Sequence, residues 1–355
     1  MKDRLPIKYV YFYGGHPNSH KIAEHLGAVK DEIPSTKRNL VIFGKTLPTQ
    51  WLYSVWTSLW KAITTKRKNG LIYFCEGTGP ILFPILMRKL KHEENIIISR
   101  INDEAFNFSE KSKLSRKYHN FLFRHLNGVI GCTSMVADDG KKIVKCPVYY
   151  AIYTTWRDYS YFAHVKPDFK HKNFAFVGEY REHKGIDILA ESMKLLKKKG
   201  ISVKTYLIGD KIRENLEQRN LSDSSFIYTG KSDPRDYFPK CAFYIHTARY
   251  EAGPTTVMEA MAAGLIPFVS MKTGVRDIVR RINPSLVIDS LDPKIISEHI
   301  AKFIKTKSES DLLEISKKCK AYVRKNNLKA CVNDYEEKFK LILKKNNYHT
   351  MRLNK

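Results

Sequence analysis

The chain has 355 residues, more than one hydrophobic core supports, so two domains are expected. Hydrophobic residues at 43% and aromatics at 12% exclude a disordered or fibrous chain. Lys+Arg 62 against Asp+Glu 36 leaves a net charge of +26, which calls for a polyanionic partner such as nucleic acid, an anionic membrane face or phosphorylated ligands. Part of that excess sits at helix ends, as in LLKKKG (195–200), where cations suit the dipole. The six cysteines, at 75, 132, 146, 241, 319 and 331, form no CxxC pair and lack zinc-ligand spacing, which points to reduced thiols in the cytosol. Without a long apolar signal region or a run of about 18 apolar residues, neither export nor a membrane span is expected.

In chain order, the first half offers KYVYFYGG (8–15), NLVIFG (39–44), GLIYFCEGTG (70–79), NIIISR (95–100), GVIGCTS (128–134) and PVYYAIY (147–153) as strands of one α/β unit. Gly14 and Gly15 end the first strand, and a helix follows. His16 and His20 stand at four-residue spacing, but no third ligand lies near, so no metal site is expected. Residues 50–68, QWLYSVWTSLWKAITTKRK, put Leu52, Val55, Trp56, Leu59, Trp60 and Ile63 on one helical face ahead of a basic cluster. Interfacial helices combine aromatics and basic ends in this way. A helix laid on its own sheet reads the same.

The polar stretch 165–173, with a proline and several lysines, reads as the linker between the two strand series. From about residue 172, FAFVG, VKTYLIG, FIYTG, AFYIHT and LIPFVS alternate with amphipathic helices, the pattern of a parallel sheet covered on both faces. In such sheets ligands bind beyond the carboxyl ends of the strands, here the loops after 178, 209, 230 and 247. Three helical segments and a Lys- and Asn-rich tail follow residue 292.

The loop ARYEAG leads from AFYIHT into a helix near Pro254, at the crevice. The opening amides of that helix, from Thr255 to Val257, with Gly253 before them, form an expected phosphate site, to which Thr255 and Thr256 add hydroxyls. Glu259, in the second turn, leans back toward that site and is suited to vicinal ribose hydroxyls. Glu251 precedes the helix and can accept from hydroxyls of an attached sugar. An ordinary helix with an N-terminal acid is the plainer alternative.

The pair Glu251 and Glu259, followed by AMAAG, an apolar strand and the glycine loop TGVRDIV, resembles the C-terminal donor signature of the retaining glycosyltransferases of family 4. FAFVGEYREHKGIDILAESMKLL resembles the first donor-domain unit of the same family, and the match spans about residues 172–282 with its motifs in order. The resemblance implies an α/β GT-B fold, two Rossmann-like parallel-sheet domains facing a central cleft. The expected division is an acceptor domain at 1–167, a nucleotide-sugar domain at 168–326, and a C-terminal helix and basic tail at 327–355 packing back toward the first domain.

The resemblance further implies that Lys184 contacts the donor phosphates, that Gly14 and Gly15 lie near them, and that the anomeric configuration is retained. One position departs from the family pattern: Glu179 stands where an arginine usually partners the lysine, leaving Arg181 to supply the second cation. Lys231 and Ser232, after FIYTG, are the candidates for base recognition, and Asn102 and Asp103 for positioning the acceptor. No DxD-type acidic cluster stands ready to hold a metal on the phosphates, so the leaving group is expected to be stabilised by Lys184, Arg181 and the helix amides.

The expected reading is a cytoplasmic enzyme, peripheral to the inner membrane face, that takes a UDP or GDP sugar to a glycan, lipid-linked or other acceptor. It uses no cofactor beyond the donor, and nucleic acid is not an expected partner. A sugar-nucleotide epimerase of the same fold, a sugar-nucleotide binder without turnover and a basic nucleic-acid binder are the competing readings.

Overall fold

The computed structural model describes residues 5–12, 16–34, 40–42, 45–47, 49–101, 105–106, 112–154 and 160–348. It divides into two compact units, one of residues 1–152 with 331–355, the other of residues 153–330.

The first unit runs β1 (Ile7–Phe12), α1 (Pro17–His25), β2 (Val29–Ile33), β3 (Leu40–Ile42), β4 (Lys45–Leu47), α2 (Thr49–Thr64) and β5 (Leu71–Glu76). It continues with α3 (Leu82–Leu90), β6 (Asn95–Ile101), α4 (Lys113–Phe123), β7 (Gly128–Gly131), α5 (Ser134–Lys141) and β8 (Val148–Tyr150). Its parallel sheet has the order β2-β1-β5-β6-β7-β8. β6 is buried along its whole length, as expected for an apolar strand covered on both faces.

One expectation is corrected here, and one strand was not foreseen. NLVIFG does not join the main sheet: Leu40–Ile42 pairs antiparallel with Lys45–Leu47. The sheet edge is VKDEI, the strand β2, whose charged residues disguise it. Edge strands tolerate such residues because one face stays in water, and charge there blocks further pairing.

The second unit holds α6 (Ser160–Ala163), β9 (Phe174–Val177), α7 (Ile186–Lys198), β10 (Thr205–Ile208), α8 (Ile212–Gln218), β11 (Phe226–Gly230) and β12 (Phe243–His246). Then come α9 (Thr255–Ala263), β13 (Ile266–Ser270), α10 (Arg276–Ile282), β14 (Val287–Ile288), α11 (Pro293–Thr306) and α12 (Glu309–Lys325). The last helix, α13 (Leu328–Lys345), belongs to the first unit from Cys331 onward, where Phe339 meets Phe74 edge-on at 5.8 Å.

The second sheet is also parallel, in the order β11-β10-β9-β12-β13-β14. Its centre is aromatic: Phe174 stacks on Phe243 at 5.0 Å, and Phe268 meets Phe303 of α11 at 5.1 Å. The chain winds outward from β9 in one direction and from β12 in the other, so the order reverses between those two strands. That reversal leaves a crevice beyond their carboxyl ends, where open α/β sheets take their ligands. The loops that follow β9 and β12 carry Lys184 and Glu251 respectively.

A candidate donor-binding site at the strand-order reversal

The loop after β9 ends in a short 3₁₀ turn, Glu182–Lys184, and Gly185 then takes a left-handed conformation with φ of 64° before α7 begins. A Cβ at Gly185 would stand 2.0 Å from the Thr247 carbonyl oxygen, so only glycine lets the two loops close. Thr247 Oγ1 completes the closure by donating to the Gly185 carbonyl at 2.7 Å.

Arg249 fastens the same two loops a second time. Its backbone N–H donates to the His183 carbonyl at 2.7 Å, its Nη1 to the Glu182 carbonyl at 2.7 Å, and both its Nη atoms to the Asp187 carboxylate at 2.8 and 2.7 Å. Partial burial works against the charge of Asp187, but the Arg249 fork outweighs it and holds the carboxyl below its usual range. Neither Arg249 nor Asp187 was legible as a site residue, because a loop and a helix 62 positions apart meet only through the fold.

This closure brings the lysine and the first glutamate together. Lys184 Nζ lies 3.2 Å from Glu251 Oε2, with both side chains mostly shielded from water. His183 Nε2 is 3.7 Å and His246 Nε2 4.0 Å from the same oxygen. Glu251 is itself pinned through its backbone, donating to the Lys272 carbonyl at 3.0 Å and accepting from the Gly274 amide at 2.8 Å.

α9 begins at Thr255, two residues after Gly253, with Pro254 as an extended N-cap at φ −75°, ψ 99° rather than inside the helix. One expectation is corrected: the Val257 amide donates to the Pro254 carbonyl at 3.2 Å. The amides of Thr255 and Thr256 have no acceptor among the described residues and so remain for an anion. Tyr244 supports this end of the helix, its hydroxyl donating to Thr256 Oγ1 at 2.8 Å and lying 3.4 Å from the Val177 carbonyl. Tyr153 does the same from the other side by donating to the Gly253 carbonyl. Glu259 is buried in the second turn, and α9 is buried from Val257 through Ala263. Its alanines suit a helix enclosed on all sides, since larger side chains would not fit.

Arg181 is placed differently from the role expected of it. Its Nε donates to Glu179 Oε1 at 2.6 Å, and both side chains are more than half exposed. The hydrogen bond from Arg181 holds the Glu179 carboxyl below its usual range. Glu179 thus engages Arg181, leaving Lys184 as the shielded positive group of this loop. Lys231 follows the edge strand β11, three strands from β12, and is exposed.

His246 is fully buried, parallel to the Phe176 ring at 6.1 Å, and neither ring nitrogen has a hydrogen-bond partner. Burial pushes its pKa down to about 4 from 6.5, against the smaller opposing pull of Glu251. Between those values the unfolded chain carries a proton that the folded unit does not, so stability falls as pH drops through that window. The expected loss from pH 6.5 to 4 is about 3 kcal/mol. Urea unfolding across that range is expected to show this slope, and His246→Leu to remove it.

In the first unit, His16 caps α1, its Nδ1 accepting from the Asn18 amide at 3.2 Å, and His20 meets the Tyr9 and Tyr11 rings edge-on. The His16 backbone N–H donates to Glu76 Oε1 at 2.9 Å, and the Tyr9 hydroxyl donates to the same carboxylate. Gly14, Gly15, Asn102 and Asp103 lie outside the described residues. No group of three metal-ligating side chains occurs among the described residues.

The family model for glycosyl transferases group 1 matches residues 161–326, the span that holds Lys184, Glu251, α9 and Glu259. The second unit thus matches a glycosyltransferase domain over nearly its whole length. Among solved structures, sucrose-phosphate synthase from Thermosynechococcus elongatus is 12% identical with a TM-score of 0.69, covering 95% of this chain and 99% of that one. A glycosyltransferase from Rickettsia africae is 16% identical with a TM-score of 0.67, covering 95% of this chain and 99% of that one. HepE from Anabaena, in complex with UDP and glucose, is 11% identical with a TM-score of 0.66, covering 94% of this chain and 99% of that one. These likenesses show the fold, GT-B, with its two Rossmann-like parallel-sheet units. No curated protein sequence matches the chain.

Proposed function

We propose that this glycosyltransferase moves a sugar from a nucleoside-diphosphate donor, UDP or GDP, to a glycan or lipid-linked acceptor with retention at the anomeric carbon. The observation that carries the reading is the convergence, beyond β9 and β12, of Lys184, Glu251 and the two open amides of α9. Lys184 and those amides hold the diphosphate as negative charge grows on it, while Glu259 accepts from the ribose hydroxyls and Glu251 from hydroxyls of the sugar. In the free protein Glu251 holds Lys184 in place; an arriving diphosphate, with more charge, draws the ammonium toward itself. The donors that meet the phosphates are an ammonium and two amides, which supports stabilisation of the leaving group without a metal.

Family 4 is the assignment that the motif order supports, and the first unit is the proposed acceptor domain. The free thiols of all six cysteines support a cytoplasmic place. The basic balance supports contact with the inner membrane face there. Among the described residues no helix is long and apolar enough to cross a membrane.

The test is release of nucleoside diphosphate from a panel of UDP and GDP sugars, with product anomers assigned by NMR. The expected result is turnover unaffected by EDTA and an α-linked product from an α-linked donor. An inverted product or a requirement for added divalent metal would overturn the mechanism; isomerised donor with no glycoside would replace it by epimerisation.

A further inference from the structure

α2 is mounted with its aromatic side outward. Among the described side chains of this helix Thr57, Ser58 and Ala62 are buried, whereas Leu52, Tyr53, Trp56, Trp60 and Ile63 are 56%, 42%, 65%, 55% and 59% exposed. At about 100° per residue these five fall within a single arc of roughly 100°. A helix placed only to fill a core would bury that side and expose the other.

The orientation is fixed from the polar side. Lys61 pairs with Asp31 and donates to the Glu32 carbonyl at 2.9 Å, and Lys91 of the segment after α3 donates to the Ile63 carbonyl at 3.0 Å. The hydroxyls of Thr57 and Thr64 donate to the helix's own carbonyls at 2.9 and 3.0 Å. Residues 49–70 contain no acid, and Lys66, Arg67 and Lys68 stand exposed directly after the helix. Lys89 and Leu90, at the end of α3, are also exposed.

We infer that the outward face of α2 and the cluster Lys66–Lys68 form a docking surface for an anionic lipid bilayer, with the aromatic side chains in the headgroup boundary and the cations on the lipid phosphates. The inference rests on the membrane contact proposed above and is independent of the donor chemistry. Charge selects this occupant over a second copy of the chain: two molecules joined through this face would bring two basic clusters together at a net charge of +26 each, whereas an anionic bilayer neutralises them.

The experiment mixes the protein, without nucleotide, with vesicles of phosphatidylcholine alone or mixed with phosphatidylglycerol. Three of the four tryptophans lie in α2, so their emission reports the contact directly. The expected result is co-sedimentation with the anionic vesicles, a blue shift and quenching by acyl-brominated lipid. Trp56→Ser/Trp60→Ser is expected to weaken binding at least tenfold, and Lys66→Ser/Arg67→Ser/Lys68→Ser by roughly a hundredfold. All five positions are exposed, and unchanged circular dichroism shows that the variants fold.

Absence of binding at low salt overturns the inference, as does binding that the tryptophan variant keeps in full. A dimer in sedimentation velocity that the same variant dissolves, without vesicle binding, replaces it with self-association. Since no nucleotide enters the measurement, these failures leave the donor site standing.

Discussion

Replacing Lys184 by alanine is expected to lower turnover by two to three orders of magnitude, about 3–4 kcal/mol of transition-state stabilisation. Lys184 is the shielded cation of the loop after β9, and it lies 3.2 Å from Glu251 at the point where the strand order reverses. A charge held there acts in a medium less polarisable than water and needs no reorganisation when the diphosphate departs. Arg181→Ala is the contrast. Its guanidinium is exposed and already engaged by Glu179, and such surface pairs are worth little, so a loss of no more than a few-fold is expected. Initial rates of nucleoside diphosphate release for the two variants check both values. Equal losses would mean that Arg181 leaves Glu179 and joins the phosphates.

Gly185→Ala is expected to destabilise the second unit by about 3 kcal/mol or more. The left-handed conformation alone costs a side chain about 1–2 kcal/mol. The new Cβ would also lie 2.0 Å from the Thr247 carbonyl oxygen, so the loops must part and lose the buried bond from Thr247 to Gly185. The melting transition of that unit is expected to fall by roughly 6–12 °C in calorimetry. Gly200→Ala separates the two causes: Gly200 shares the positive φ, at 78°, but a Cβ there meets nothing within 4 Å. It is expected to cost only the conformational part.

The second unit was legible in the sequence because its strands are short, continuous apolar runs between loops that carry the motif residues. FIYTG, for one, matches β11 residue for residue. The first unit was less so, since VKDEI hides an edge strand behind charge and NLVIFG resembles a core strand without being one. Lys184 and the two glutamates could be named from the motif order. The Arg249–Asp187 clamp, the histidines around Glu251 and the capture of Arg181 by Glu179 could not. Each is a contact made by loop closure, and nothing in the local pattern encodes it. In α2 the periodicity gave the apolar face but not its direction, because a helix that covers a sheet and one that meets a membrane share the same pattern.

The most direct test of the donor site is thermal unfolding of the wild-type protein and Glu259→Ala against UDP, GDP and their sugar conjugates. A nucleotide at about 100 times its Kd adds about 2.7 kcal/mol to the folded state, which raises the midpoint of a unit of this size by roughly 5–10 °C. The account predicts that shift for one base in the wild type and a much smaller one in Glu259→Ala, each measured from its own ligand-free midpoint. A protein that no nucleotide stabilises, or a variant that responds as fully as the wild type, would contradict it.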